Sequence, residues 1–269
     1  ITRYRTLDSW LRSRHGEKVQ KIPLDAGSGC PNRDGTLGAG GCSFCNAAGS
    51  GSGRACESFE KQWEYWRGRL ARSPRTKNVK RYLGYIQSFT NTYGPASRLA
   101  SLLRELEGLP GLVGACVGTR PDCVDEEKLD YFSSLARQKY VAIEYGVESC
   151  YDATLLRINR GHDFATAERA IRQTAERGIH CGAHFILGLP GESDRMLIEQ
   201  VERINSLPLT TIKFHQLQLF RGTALAAEYD AHPERFRFWS VEEYIELFIE
   251  ILRRLRPDIV VERFAGEAP

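Results

Sequence analysis

The chain lacks any long apolar run: its uninterrupted hydrophobic stretches reach only about half a dozen residues, against the ~20 a membrane-spanning helix needs. No charged-then-apolar leader opens it, which argues against secretion and makes the cytoplasm the expected location. The first residue is Ile1 rather than methionine, so the natural product is expected to begin earlier. Charge of one sign does not dominate. Lys and Arg total 37 against 34 Asp and Glu, a balance of +3 that permits a nucleic-acid partner without demanding one. No Pro- or Ser-rich linker and no repeat divides the 269 residues, so a single domain over 1–269 is expected. With 42% hydrophobic and 26% charged residues, the composition excludes disordered, collagenous and fibrous classes.

What is present is an alternation of short apolar runs with amphipathic segments. Strands are expected near 22–26, 82–87, 112–117, 140–145, 182–187, 210–217 and 259–261. Helices are expected at 4–15, 59–71, 96–107, 126–138, 150–157, 164–177, 193–206 and 241–254. Ser58, Asp125, Ser193 and Ser240 stand where N-caps belong, and Gly178 where a helix stops. The helix at 59–71 carries Phe59, Trp63 and Trp66 on one stripe, a core face rather than a base-stacking one. About six strand–helix repeats read as an α/β fold with a parallel sheet, doubly wound or barrel. In such sheets the functional loops follow the carboxyl ends of the strands. Glycine-rich interruptions at 27–53 and 188–191 both do so.

Eight cysteines lie at 30, 42, 45, 56, 116, 123, 150 and 181. A chain with room for a real core is expected to keep them reduced or to bind metal, rather than form disulfides. Cys30, Cys42 and Cys45 form a C-x11-C-x2-C set in a glycine-rich loop after the first strand. Glycine permits the backbone to wrap and frees N–H groups for sulfur. Three thiolates would leave one iron of a [4Fe–4S] cluster open, whereas a structural zinc site closes with four. Cys56 is a possible fourth, so both metals remain open on spacing alone. Cys116, Cys123, Cys150 and Cys181 read as small buried or incidental thiols.

The chain resembles the radical S-adenosylmethionine (SAM) superfamily, and within it the YhcC-like group related to the elongator catalytic subunit. The matching segments run from residue 4 to about 264. They include Cys-Pro-Asn-Arg-Asp-Gly-Thr at 30–36, Gly-Gly-Cys-Ser-Phe-Cys at 40–45, Gln-Ser-Phe-Thr-Asn-Thr-Tyr at 87–93 and Gly-Thr-Arg-Pro-Asp at 118–122. Further ones are Gly-Val-Glu-Ser at 146–149, Ile-Asn-Arg-Gly-His at 158–162, Phe-Ile-Leu-Gly-Leu-Pro-Gly-Glu at 185–192 and Lys-Phe-His-Gln-Leu at 213–217. The wide cysteine gap departs from the commoner C-x3-C-x2-C and matches this group.

The resemblance implies a partial (β/α)6 TIM-type barrel with a [4Fe–4S] cluster on Cys30, Cys42 and Cys45 at its carboxyl end. It implies reductive cleavage of SAM to a 5′-deoxyadenosyl radical that abstracts a substrate hydrogen. Phe44 is implied beside the adenine, and Ser88, Thr90, Asn91 and Thr92 at the SAM head group. Glu148 with Ser149 is implied at the ribose, Arg160 at the SAM carboxylate, His184 at the ribose, and Gly188 and Leu189 at the adenine. The Gly-Gly-Glu head-group run of relatives is absent here. Tyr93, Arg120 and His215 are expected to face substrate, with Lys213, Gln216 and Gln218 nearby and His162, Glu192 and Glu262 as lesser candidates. The family continues some tens of residues further, so residues closing the barrel are expected beyond this chain. Expected partners are SAM, a reductase such as flavodoxin or ferredoxin, and a tRNA wobble uridine, with a small metabolite as the competing substrate. No membrane partner is expected. The competing class is a zinc-stabilised nucleic-acid-binding module using Cys56.

Overall fold

The computed structural model describes residues 4–47, 49 and 53–266. Among them, eight strands alternate with nine α-helices. The strands are β1 (Arg5–Thr6), β2 (Val19–Leu24), β3 (Arg81–Ile86), β4 (Leu112–Thr119), β5 (Tyr140–Glu148), β6 (His180–Leu187), β7 (Thr211–Gln216) and β8 (Val260–Arg263). The helices are α1 (Leu7–His15), α2 (Phe59–Arg72), α3 (Ala96–Arg104), α4 (Glu126–Ala136), α5 (Asp152–Arg157), α6 (Phe164–Glu176), α7 (Asp194–Asn205), α8 (Ala224–Ala231) and α9 (Val241–Arg254).

All strand pairings are parallel, in the order β1-β8-β7-β6-β5-β4-β3-β2. The sheet curls into a half-barrel: Lys21 on β2 reaches Glu262 on β8 at 2.7 Å across the interior, with no ladder joining β1 to β2 among the described residues. Strands β2 to β7, each followed by helix, are the six expected units; β8 and the two-residue β1 extend them to eight. The expected helix at 4–15 is corrected at its start. Arg5 and Thr6 pair with Val260 and Val261, and the helix begins at Leu7 with Thr6 as its cap. The helix α8, capped by Thr223, was not anticipated.

Local chemistry sets the other boundaries. Ser58, Asp125 and Ser193 each accept a backbone N–H of the first turn, and Ser240 forms a reciprocal capping box with Glu243. Phe59 and Trp63 are buried on the inner face of α2. Each such apolar side chain contributes about 1.5–3 kcal/mol on burial. Strands β3 to β6 are buried on both faces, as parallel strands under helices are.

The amino end of the barrel is plugged by α1. Trp10 meets Tyr140 and His180, the first residues of β5 and β6, edge-on at 5.7 and 5.3 Å, and those two rings stack at 4.9 Å. The carboxyl end stays open, and the cysteine loop lies there.

Candidate active site

The cysteine loop is shaped by short backbone bonds. Arg33 N donates to Cys30 O at 2.9 Å, and Cys45 N donates to Cys42 O at 2.9 Å, which closes a tight turn between the last two thiols. Gly41 precedes Cys42 at φ +83°, and a Cβ there would lie 2.9 Å from Arg33 Nε. The amide of Gln62 on α2 accepts from Asp25 N at 2.8 Å and donates to Asp25 O at 2.9 Å, anchoring the start of the loop. Cys42 is buried; Cys30 and Cys45 are half-buried. All three line one cavity of about 400 Å³, within the range of small-molecule sites.

Across from them, the turn after α5 brings in Arg160. Its Nη1 donates to Cys42 Sγ at 3.4 Å and its Nη2 to Gly146 O at 2.6 Å, with Glu148 Oε1 3.5 Å away. The register of β5 against β6 shifts between Gly146 and Glu148, and Glu148 sits at φ +72°. That irregularity turns the carboxylate into the cavity it lines. Gly146 is needed there, because a Cβ would come 2.5 Å from Glu148 Oε1 and 2.7 Å from Arg160 Nη2. Burial raises Glu148 to about 7, with Arg160 opposing. The Cys42 thiol is lowered to about 4, first by its hydrogen bond with Cys45 and then by Arg160. Cys45, hydrogen-bonded to that sulfur and half-buried, is raised.

An ionic lattice crosses the barrel interior at the cavity wall. Glu144 on β5 accepts from Lys21, from Lys213 at 2.6 Å and from His184 Nε2 at 3.0 Å. Lys213 also contacts Glu262 at 3.0 Å and Tyr85 OH at 3.1 Å. Two cations meet two carboxylates, so the lattice is internally neutral, as buried charges must nearly be. His184 is pushed down by burial and Lys213, and its ring lies 5.5 Å from that of His215, which burial lowers to about 3. Sequence reasoning missed Glu144, Lys21 and Tyr85; the only signal was an acid inside an otherwise apolar strand.

Of the expected site residues, the structure gathers Cys30, Cys42, Phe44, Cys45, Thr90, Arg120, Glu148, Arg160, His184 and His215 around this cavity, along with Lys213, Gln216 and Gln218. Arg120 is nearly fully buried and forks onto Asp122 at 2.9 and 2.8 Å.

Ser88, Asn91, Thr92, Tyr93, Ser149, Gly188 and Leu189 fall outside the cavity lining. Asn91 donates to Ile86 O and Gly118 O and accepts from Ser28, stitching β3 to β4. Thr92 bonds Thr119 at 2.6 Å in that same turn, which also holds Ser88 fully buried. Tyr93 OH bonds Thr36 at 2.8 Å within the cysteine loop. Ser149 is turned to Glu192 and the Tyr151 N–H. Gly188 packs under Trp239, with its ideal Cβ position 2.8 Å from the ring, and Leu189 is core.

The residues suit a cluster rather than a single ion. Among the described residues, no three His, Cys, Asp or Glu side chains gather to hold one metal ion, and Cys56 is exposed. A cluster takes its thiolates on separate irons, which three cysteines around one cavity can supply. Arg120 Nη1 and Arg160 Nε are buried without a protein partner, so the cavity offers spare cationic donors to an anionic guest.

A model of the radical SAM superfamily matches residues 26–204, and one of the radical SAM C-terminal domain matches 209–269. The chain belongs to the radical SAM superfamily and is an enzyme. It is a YhcC-like member. The superfamily's cofactors are a [4Fe–4S] cluster and SAM. The chain is 35% identical over 269 residues to YtqA of Bacillus subtilis (strain 168), covering 99% of this chain and 82% of that protein. It is 36% identical over 263 residues to YhcC of Escherichia coli (strain K12), covering 96% and 82%. A tRNA uridine(34) acetyltransferase of Methanocaldococcus infernus is 25% identical over 138 residues, 50% of this chain and 25% of that protein. Among solved structures, the archaeal Elp3 of Methanocaldococcus infernus superposes with a TM-score of 0.67 at 17% identity, covering 93% of this chain. SuiB of Streptococcus suis, bound to S-adenosylmethionine, superposes at 0.56 and 12% identity, covering 95%. The chain spans 57% and 53% of those two, and such identities show the fold alone.

Proposed function

We propose that Cys30, Cys42 and Cys45 hold a [4Fe–4S] cluster, that SAM lies across the carboxyl ends of β4 to β6, and that 1–269 works as one radical SAM core. The observation that carries this is the sharing of one cavity by three cysteines, a buried Arg160 and Glu148. When bound, the two cofactors supply a 5′-deoxyadenosyl radical that takes a hydrogen atom from the substrate. The chain supplies position and charge. Arg160 presents a fixed cation to a carboxylate, and the Glu148 carboxyl group accepts hydroxyl hydrogens of a ribose. His184, donating Nε2–H to Glu144, keeps Nδ1 as an acceptor, and half-buried Phe44 offers an apolar face. Lys213, His215 and Gln216 form the wall left for substrate.

The substrate in this proposal is a nucleoside side chain in tRNA, the wobble uridine, with flavodoxin or ferredoxin as electron donor. Its support is the partial likeness to a tRNA uridine(34) acetyltransferase and the slight basic balance. The test combines tRNA binding across salt with nucleoside analysis of tRNA incubated with the reconstituted enzyme, SAM and reductant. Affinity falling steeply as salt rises, with a nucleoside that changes only when Cys42 is present, supports it. Salt-insensitive binding and unchanged nucleosides would move the substrate to a small metabolite.

A further inference from the structure

Asn32 is a buried amide inside the eleven-residue insert between Cys30 and Cys42, and no role above uses it. Its nitrogen carries two hydrogens and places both. One goes to Cys42 Sγ at 3.5 Å, the other to Asn159 O at 2.6 Å. Two glycines leave its berth open. An added Cβ at Gly38 would lie 2.7 Å from Asn32 Oδ1, and one at Gly161 would lie 3.2 Å from the same atom. The insert also docks by its backbone: Gly41 N donates to Asn32 O at 2.8 Å, Asn159 Nδ2 donates to Gly41 O at 2.8 Å, and Ser43 N donates to Ile158 O at 2.9 Å. Asn159 takes φ +51°, a left-handed conformation that these bonds hold in place. The turn so held carries Arg160, the second N–H donor on the same sulfur at 3.4 Å.

We propose that Asn32 is a positioning residue of the cluster: with Arg160 it makes a two-donor N–H···S clasp on Cys42 that raises the reduction potential. The inference rests on the cluster assignment above. Reduction adds negative charge to cluster and thiolate sulfur, so an N–H aimed at that sulfur stabilises the reduced form more than the oxidised one. The wide gap of this cysteine motif thereby has a function. It is long enough to fold back and deliver an amide to the middle cysteine while tying the loop to the Arg160 turn.

The experiment is a redox titration of the reconstituted full chain followed by electron paramagnetic resonance. Wild type, Asn32→Ala, Gly38→Ala and Asn159→Gly are compared at matched iron content. Asn32→Ala deletes the donor, and Gly38→Ala displaces it without deleting it. Asn159→Gly removes a loop tie that does not touch sulfur and keeps the left-handed backbone. Asn32→Ala is expected to weaken reduction about tenfold, a shift of ~59 mV to lower potential for one electron. Gly38→Ala is expected to shift the same way, and it decides the matter if Asn32→Ala cannot hold iron. Asn159→Gly is expected to leave the potential in place, because Ser43 N on Ile158 O and Arg160 Nη2 on Gly146 O still hold the turn. An unchanged potential in the iron-loaded Asn32 or Gly38 variant overturns the inference, as does an equal shift in Asn159→Gly. A wild-type chain that takes up no reducible cluster instead overturns the cluster assignment itself.

Discussion

Arg160 Nη1 lies 3.4 Å from Cys42 Sγ, so the guanidinium of one turn rests on the middle thiol of the cysteine loop. Its other terminal nitrogen is spent on Gly146 O at 2.6 Å, which fixes the plane of the group. Lysine carries the same charge but not the fork. Arg160→Lys is therefore expected to keep near-normal iron content while SAM affinity falls at least tenfold, ~1.4 kcal/mol, in equilibrium dialysis. Unchanged affinity would remove Arg160 from the SAM site.

Gly146 gives a second handle on the same cluster of groups. An alanine methyl would lie 2.5 Å from Glu148 Oε1 and 2.7 Å from Arg160 Nη2, and both side chains must move. Gly146→Ala is expected to cost about 1–3 kcal/mol of stability, as overpacked sites do. It is also expected to weaken SAM binding more than Arg160→Lys does. A thermal melt and the same dialysis check both.

Glu144 ties four strands together through Lys21, Lys213 and, by their shared partner, Glu262. Its carboxylate is only 2% exposed. Removing one member of a buried ionic set leaves the others uncompensated, at about 3–5 kcal/mol. For a chain of this size each kcal/mol lowers the melting temperature by roughly 2–4 °C. Glu144→Ala is thus expected to melt roughly 6–20 °C below wild type. A change of under a degree in calorimetry would show the lattice to be indifferent to stability.

The barrel was largely legible from sequence because its strands are short apolar runs bounded by caps that act locally. Ser58, Asp125, Ser193 and Ser240 each bond within three residues of themselves. The cysteine loop was legible for the same reason, its spacing being a local property. Glu144 was not, because its partners come from three other strands and only the curled sheet brings them to it. Arg5 and Thr6 form a strand only because β8 lies beside them. Asn91, Tyr93 and Ser149 differ in another way. The resemblance implied Asn91 and Ser149 at the cofactor, and Tyr93 was expected to face substrate, yet each is satisfied by a neighbouring turn, strand end or loop.

Half-buried histidines make the fold acid-sensitive. Burial lowers His180 to about 4 and His215 to about 3, below the ordinary value of about 6.5. A depressed folded value means that the neutral form is the folded one. The stabilisation is therefore complete above the unfolded value near 6.5 and is lost as pH falls through about 4 and 3. His180→Phe, which keeps an aromatic ring against Tyr140, is expected to flatten the upper part of that acid limb in denaturant titrations between pH 7 and pH 4. An unchanged pH slope would contradict this account of His180.

The most direct test of the central claim is anaerobic reconstitution with iron and sulfide, followed by dithionite, SAM and chromatography for 5′-deoxyadenosine. The account predicts a brown protein that releases 5′-deoxyadenosine. Serine at Cys30, Cys42 or Cys45 abolishes that release, and Cys56→Ser leaves it intact. A colourless protein that binds zinc, needs Cys56 to fold and leaves SAM whole would contradict it.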